Sequence, residues 1–327
     1  MLETLRSDQK LADWLRVLEA ADVAPIDVTL PEADELPEVL LDLAVPHEEI
    51  NTLVAHRDAV IQNTETYWLL ERTVRLLAAR VGSVGDRPRL PPLPQSWGDL
   101  GRYFYVYVFI ATAPYARAEH ERVGVSAEVS RRTLADLGRH IAVHRRRNGV
   151  GGLLAPDWLS LHLSGELYQL GRLQFQREKL GERTGQAAAA AGAPVGPGSS
   201  YLELHIADFS GPLSPVACDR SLDLAREFFP KHYPEESHTV ASCASWLLDP
   251  QLAQYLPADS NIVRFQRRFR SAHAPQENYD RDTLGFVFGD PDLPLDTLPR
   301  DSTLQRAVVD HLRSGAHWYG GRGWFEL

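Results

Sequence analysis

The 327-residue chain has two cysteines, one methionine and no long hydrophobic run. Cys218 and Cys243 alone do not indicate a disulfide framework. The longest apolar stretch, residues 103–113, is too short to cross a bilayer, and the amphipathic start of the chain lacks the apolar core of a signal peptide. We therefore expect a cytoplasmic protein that does not bind membranes.

A positively charged surface is also lacking. The formal net charge is −10, with 34 basic residues against 44 acidic ones. General nucleic-acid binding is therefore not expected. The hydrophobic fraction of 44% and the charged fraction of 24% are those of a soluble globular protein, and the length suffices for two domains.

The first part of the chain, residues 1–150, is predicted to be a helical domain. Leu11 and Leu15 belong to a series of apolar residues at helical spacing. After a proline-rich connector, two more helices are expected, at about 100–122 and 126–147.

One pair of histidines raises the question of a metal site. His140 and His144 lie one helical turn apart, but no acid stands between them and three arginines follow. A solvated basic helix face is therefore favoured, and no metal is predicted.

Residues 151–327 are predicted to form a second domain that contains a sheet. The run 158–163 alternates in polarity, which predicts a strand. Segment 166–178 is expected to be its hairpin partner, with the turn at Gly165 and a bulge at Gly171.

Strands and helices then alternate toward the end of the chain. Segment 181–200 is of low complexity and is expected to be mobile. Further strands are predicted at 201–209, 238–246, 283–289 and 317–327. Helices are predicted to begin at Ser214, Asp249 and Ser302.

This order, three antiparallel strands feeding a β-α-β unit, is similar to the core of GNAT-type N-acetyltransferases. The segments "LELHIADFSGPLSPVACDRSLDLAREFF", "SWLLDPQLAQYLPADSNIVRFQRRF" and "LPRDSTLQRAVVDHLRSGAHW" also resemble a bacterial acyltransferase family. That resemblance implies an α+β protein, in which a helical N-terminal domain precedes a GNAT-like mixed sheet flanked by helices. It also implies transfer of an acyl group from acyl-coenzyme A, as co-substrate, to an amine acceptor.

In the superfamily, acyl-coenzyme A lies where the fourth and fifth strands separate. The turn that leads from the fourth strand into the next helix, here residues 209–213, binds its pyrophosphate. Backbone donors at a helix start suit such an anion. This chain departs from the family motif, Gln/Arg-x-x-Gly-x-Gly/Ala, because Pro212 and Pro215 each remove a donor. A catalytically silent ligand-binding or scaffold protein is therefore the alternative function. The resemblance assigns these candidates for cofactor binding: Ile206, Phe209, Ser210, Gly211, Cys243, Ser245 and Asn261.

Three residues are candidates for catalysis by the same resemblance. Glu203 and His205 lie two apart on one face of the presumed fourth strand, where superfamily members commonly place a base. Tyr255 follows the fifth strand, where the superfamily often has a tyrosine that protonates the thiolate. For Glu203 the alternative is an ordinary position on a solvent-exposed face of the strand. For Tyr255 the alternative is a structural role in the core or on the surface.

Cys243 has three possible roles. It is interpreted as a buried filler or a wall of the cleft, because direct transfer from coenzyme A needs no covalent enzyme intermediate. A Cys243 nucleophile activated by His205 is the third possibility. We expect both side chains to face the gap between the fourth and fifth strands.

Overall fold

The computed structural model describes residues 2–21, 26–85, 87–271 and 277–327. The chain divides into two compact units, Met1–Tyr168 and Gln169–Leu327. The units part later in the chain than the predicted division between residues 150 and 151. No helix in the described ranges is both long enough and apolar enough to cross a membrane.

The first unit is helical. Asp8 and Asn63 cap helices by accepting hydrogen bonds from backbone N–H groups of the first turn. Residues 103–113, the longest apolar run, are buried on every side in the longest of these helices. The helices are α1 Leu2–Arg6, α2 Gln9–Ala20, α3 Leu36–Asp42, α4 His47–Gln62, α5 Thr64–Ala78, α6 Gly98–Arg122, α7 Ala127–Leu134, α8 Asp136–Asn148 and α9 Pro156–Ser164.

Two predictions for this unit were wrong. The segment 158–163 is helical, because Pro156 starts α9 at its first turn and Gly165 ends it in the left-handed conformation. His140 is buried rather than solvated: its Nε2 lies 3.3 Å from Asp136 Oδ2, and Nε2 of His162 lies 3.1 Å from the same oxygen.

The second unit holds a mixed sheet and its helices. The sheet order is β1-β2-β3-β4-β6-β5, in which β3 and β4 are parallel and β4 and β6 antiparallel. The strands are β1 Leu167–Leu170, β2 Leu173–Lys179, β3 Ser200–His205, β4 Val240–Ser245, β5 Arg270–Ser271 and β6 Gly321–Glu326. The helices are α10 Glu182–Ala190, α11 Pro215–His232, α12 Asn261–Gln266, α13 Asp280–Phe288 and α14 Thr303–Arg313. Short 3-10 turns occur at Gln95–Trp97, Trp246–Leu248, Pro250–Gln254 and Leu295–Thr297.

Several sequence predictions for the second unit are also corrected. The predicted hairpin partner is itself the hairpin, with Gly171 at its turn in the left-handed region (φ 69°) rather than at a bulge. The low-complexity segment contains α10, a helix that was not predicted. The predicted strand 283–289 lies in α13 and its C-terminal cap at Gly289. Asp249 caps a 3-10 turn, not an α-helix.

Candidate active site

The parallel pair β3–β4 separates before either strand ends. Leu202 is in register with Ala241 and Glu203 with Ser242, after which the ladder stops. The outer edges stay paired further along, because His205 remains opposite Gln174 of β2 and β4 remains paired with β6. The sheet therefore opens between the carboxyl-terminal ends of β3 and β4. These two strands are the ones that the resemblance matches to the fourth and fifth strands of the superfamily, between which acyl-coenzyme A lies.

The two faces of the sheet at this opening differ in chemistry. On one face, Phe175 of β2 contacts Phe229 of α11, with ring centroids 6.4 Å apart, so apolar side chains pack there. Side chains alternate along each strand, so the next residue on each strand faces the other side. The opposite face carries these polar side chains: Gln174, Gln176, Tyr201, Glu203, His205, Ser242 and Arg322.

Glu203 spans the opening between the strands. Its Oε1 accepts a hydrogen bond from the backbone N–H of Ala244 at 2.9 Å, and its Oε2 lies 3.2 Å from Nη1 of Arg322. Glu203 is 5% exposed. Burial raises the pKa of this carboxyl, and the charge of Arg322 opposes that rise.

His205 lies one strand period further along the same face. Its Nε2 is 2.9 Å from Oε1 of Gln176, and the residue is half-buried. A ring nitrogen that meets an amide oxygen is a donor, so Nδ1 carries the lone pair. The imidazole is thus half-buried on the polar face of the opening, with Nε2 held by Gln176.

Cys243 does not face His205, so the prediction that both line the same gap was wrong. Cys243 alternates with Ser242, which shares the Glu203 face, and it therefore lies on the apolar face with Leu204. It is 1% exposed, and burial raises the pKa of its thiol well above the ordinary range. A thiolate is disfavoured at this position.

The other candidates after β4 have local contacts. Ser245 accepts a hydrogen bond from the N–H of Leu247 at 3.1 Å. Asn261 is exposed at the first position of α12, whose cap is Ser260. Nε2 of His311 donates to the His317 carbonyl at 3.1 Å, so Nδ1 is the acceptor, and the Tyr255 hydroxyl donates to it at 2.9 Å.

The turn after β3 has an unusual backbone. Phe209 has a positive φ of 57° and is 61% exposed, and Gly211 has φ 80°. A non-glycine residue in the left-handed region costs about 1 kcal/mol or more of conformational energy. Strained residues of this kind are concentrated in loops at functional sites. Ser214 then caps α11 by accepting from the N–H of Ala217, as the sequence predicts.

Arg172, which the sequence prediction missed, holds this turn from the β1–β2 hairpin. Its Nε donates to the carbonyl of Gly211 at 2.7 Å, and its Nη1 donates to the carbonyl of Ala207 at 3.1 Å. A glycine between two apolar runs, such as Gly171, is also a turn signal, and a turn there would have placed Arg172 at a hairpin tip. Gln176 and Arg322 were missed as well, because their strands pair with partners distant in sequence.

Arg268 approaches the start of α11. Its Nη1 lies 2.6 Å from Asp219 Oδ1, and its Nη2 lies 3.4 Å from the Pro215 carbonyl. It thus stands close to the predicted pyrophosphate turn. Clusters of three or more histidine, cysteine or acidic side chains suited to a metal are absent from the part of the chain that the structure describes.

Two protein families match this chain. The profile described as "N-acyltransferase N-terminal domain" matches residues 34–165, and the one described as "GNAT-like C-terminal domain" matches residues 167–325. No curated protein matches at a significant level.

Solved structures of acyltransferases match over nearly the whole chain. A mutant acyltransferase in complex with octanoyl-CoA shares 38% identity over 99% of both chains, with a TM-score of 0.91. An acyltransferase in complex with decanoyl-CoA and teicoplanin shares 38% identity over 99% of both chains, with a TM-score of 0.89. These matches confirm the predicted α+β fold, and the chain belongs to the acyltransferase family that joins an N-acyltransferase N-terminal domain to a GNAT-like C-terminal domain.

Proposed function

We propose that this enzyme transfers a medium-chain acyl group from acyl-coenzyme A to an amine of a glycopeptide acceptor. Acyl-coenzyme A is the donor, since relatives 38% identical over 99% of the chain hold octanoyl-CoA or decanoyl-CoA. The observation that carries the acceptor class is the relative in complex with both decanoyl-CoA and teicoplanin. The chain length and the amine are our extension to this enzyme.

We assign the base role to His205. Its Nδ1 faces away from the hydrogen bond to Gln176, and its side chain is half-buried at the opening between β3 and β4. Glu203 is less suited to the role, since both of its oxygens already contact donors. An imidazole also changes protonation near neutral pH, as a base for amine attack must.

The proposed reaction balances without a covalent enzyme intermediate. The amine nitrogen attacks the thioester carbonyl, the new C–N bond forms, and Nδ1 of His205 takes the proton that the nitrogen loses. The C–S bond then breaks and coenzyme A leaves as a thiolate. A thiolate is a much better leaving group than an alkoxide or an amide anion, so its departure needs little help from an acid.

Tyr255 is proposed as a secondary group that gives a proton to the departing thiolate. Its hydroxyl proton points to His311 in the structure, so Tyr255 must turn away from that ring before it can serve a thiolate. Loss of its hydroxyl is therefore expected to have a smaller effect than loss of the His205 imidazole.

The site for the coenzyme is proposed along the turn after β3 and the edge of β4. Ile206, Phe209, Ser210 and Gly211 form the turn side, and Ser245 and Asn261 follow β4. Arg172 and Arg268 supply positive charge beside the turn. Cys243 is removed from this list because it is buried on the opposite face.

We also propose that the enzyme acts in the cytoplasm, where a −10 net charge and an acyl-coenzyme A substrate are compatible. A helical domain and a GNAT-like domain remain the proposed organisation. The matched family regions meet between residues 165 and 167, close to the boundary of the two compact units at 168.

The test follows thiol release with acyl-CoA donors from acetyl to palmitoyl, with a glycopeptide amine and with its N-blocked form. We expect release only with the free amine and most rapidly with octanoyl or decanoyl donors, and mass spectrometry should find one added acyl group. His205→Ala should lower turnover about a hundredfold or more. His47→Ala, on the surface of α4, is the control. Equal release with the blocked acceptor would exclude amine acylation.

A further inference from the structure

Where the opening between β3 and β4 begins, a side chain bridges the two strands. Beyond the last paired residues, Glu203 and Ser242, the N–H of Ala244 has no β3 carbonyl opposite it in register. This N–H must therefore find its acceptor outside the β3 backbone. The carboxylate of Glu203 supplies the acceptor at 2.9 Å.

The carboxylate is held in this position from the other side of β4. Arg322 of β6 is in register with Ala244, and its Nη1 lies 3.2 Å from Glu203 Oε2 and 3.3 Å from Ser242 Oγ. The guanidinium therefore touches both strands that form the opening. Without it, a carboxylate that is 5% exposed would lack a compensating charge.

The other charged and titratable groups on this face do not replace Arg322. Tyr201 and His205 lie on β3 on either side of Glu203, and Glu178 of β2 accepts a hydrogen bond from the Tyr201 hydroxyl at 2.9 Å. Glu178 adds negative charge near Glu203 rather than neutralising it. Arg322 is thus the group whose charge favours an ionised Glu203.

We propose that Arg322 is a positioning residue for acyl-coenzyme A: it holds the Glu203 carboxylate between β3 and β4, and this pair keeps the two strands apart. The proposal rests on the proposed function, because it requires that the acyl-pantetheine arm enter between these strands. When Arg322 is removed, Glu203 loses its partner and turns away from Ala244. The strands then close or disorder, and acyl-coenzyme A binds more weakly while the chemistry at His205 persists.

The proposal separates the roles of the two candidate bases. Glu203→Gln keeps an oxygen for the Ala244 N–H, whereas Glu203→Leu does not. We therefore expect Glu203→Leu to raise the KM for acyl-coenzyme A about tenfold, and Glu203→Gln, which keeps that oxygen but loses the charge that pairs with Arg322, to raise it less. The pH profile of kcat should be unchanged in Glu203→Gln. A lost limb of that profile would make Glu203 the base and overturn the proposal.

The main experiment measures KM and kcat for decanoyl-CoA in Arg322→Met, Arg322→Lys and the double variant Arg322→Met/Glu203→Leu. Arg322→Met should raise KM about tenfold with kcat reduced less than threefold, and Arg322→Lys should recover part of the loss. The KM of the double variant should be no higher than that of the poorer single variant, because the two substitutions remove the same contact between Arg322 and Glu203. Arg270→Met is the matched control: it removes an exposed arginine of β5 that pairs with Glu326 of β6.

Other outcomes overturn the proposal in recognisable ways. Additive effects in the double variant, or a loss in Arg322→Met that extends to 3′,5′-ADP binding, would mean that Arg322 binds the coenzyme directly. An unchanged KM in Arg322→Met would mean that the pair has no role in binding. If the wild-type enzyme releases no thiol from any donor, the proposed function fails. Should Arg322→Met not fold, Arg322→Lys and Glu203→Leu provide the same comparison.

Discussion

The thiol of Cys243 and the imidazole of His205 lie on opposite faces of the sheet. Glu203 is in register with Ser242, so these two side chains share the face on which His205 lies. Side chains alternate along a strand, so Cys243, the residue after Ser242, lies on the opposite face. Cys243 lies with Leu204 on the face where α11 packs. A base on one face cannot take a proton from a thiol on the other, so the covalent route through this pair has no structural support.

Replacement of Cys243 should therefore affect packing and not turnover. We expect Cys243→Ala to keep kcat and KM within about twofold and to lower the free energy of unfolding by about 1 kcal/mol, because a small buried side chain is lost. Thiol-release kinetics and urea unfolding measure the two effects. Loss of activity in a folded Cys243→Ala variant would restore the covalent mechanism.

The contact between Gln176 and His205 predicts which nitrogen of the imidazole accepts the proton. A carboxylate in place of the amide favours the charged imidazolium and should raise the pKa of the His205 imidazole. Because the neutral imidazole is the active form, Gln176→Glu should lose more activity at pH 6 than at pH 9. The acidic limb of the kcat/KM profile should move to higher pH by the same amount.

A surface change with the same charge controls for this variant. Gln186 is exposed on α10, so Gln186→Glu should leave the acidic limb in place. The nearby groups Glu203, Glu178, Tyr201 and Arg322 are identical in both variants. An acidic limb that stays fixed in Gln176→Glu but disappears in His205→Ala would refute the Gln176 contact and keep the base assignment.

Loss of the Tyr255 hydroxyl should have a modest effect. Tyr255→Phe keeps the ring contact with Trp318, whose centroid is 6.1 Å away, and removes the hydrogen bond to His311. We expect kcat to fall less than about tenfold, because a thiolate is already a good leaving group near pH 7. A fall comparable with that of His205→Ala would assign the acid role to Tyr255 and require a turned hydroxyl in the complex.

Arg172 should contribute to coenzyme binding through the turn after β3. It joins the hairpin tip to the carbonyls of Ala207 and Gly211, so its loss frees a turn that contains the strained Phe209. We expect Arg172→Met to raise the KM for acyl-coenzyme A about fivefold with kcat little changed. Arg281→Met, an exposed arginine paired with Asp292, should change neither value. A selective fall in kcat would refute this role.

Local sequence signals predicted part of the site. Period-two alternation placed Glu203 and His205 on one strand face, and Ser214 with Pro215 predicted the start of α11. Both signals act within a few residues, so they need no tertiary information. The family resemblance supplied the donor, which the strand pattern alone does not specify.

Other features depend on contacts between distant residues. Arg322 reaches Glu203 through strand pairing across some 120 positions, and nothing in the local pattern of β6 predicts that register. The run 158–163 was assigned to a strand because leucines alternate, but every residue from Leu159 to Ser164 is buried in α9. Where both polar and apolar residues are buried, alternation no longer reports a solvent-facing side.

The missed helix α13 did have a local signal. Asp280 and Asp282 stand in its first turn, where acidic residues favour a helix start, and Gly289 ends it with φ 88°. The apolar run between them was read as a strand because it is short and rich in aromatics. Helix caps were therefore the better guide at this position.

Acid should weaken the second unit through Glu236. Its carboxylate accepts from Nε of Arg177 at 2.9 Å and lies 3.1 Å from Nε2 of His238, while the Arg177 guanidinium lies 3.5 Å from the centroid of the Tyr233 ring. Burial opposes the charge, but His238 and Arg177 outweigh it and lower the pKa of Glu236 to about 2.

The direction of the pH effect follows from that lowered pKa. In the unfolded chain the carboxyl titrates near 4.5, so its stabilising effect is complete above that pH and disappears as the pH falls toward 2. We expect Glu236→Gln to lower the free energy of unfolding by about 1–2 kcal/mol at pH 7, since the site is partly screened by solvent. The difference from the wild type should shrink steadily below pH 4.5, be small at pH 2.5 and reach zero only below the folded pKa of about 2. Urea unfolding of both proteins at pH 7, 4.5, 3.5 and 2.5 measures it, with Glu227→Gln on the exposed side of α11 as the control. A difference that stays constant with pH would show that Glu236 contributes through packing rather than charge.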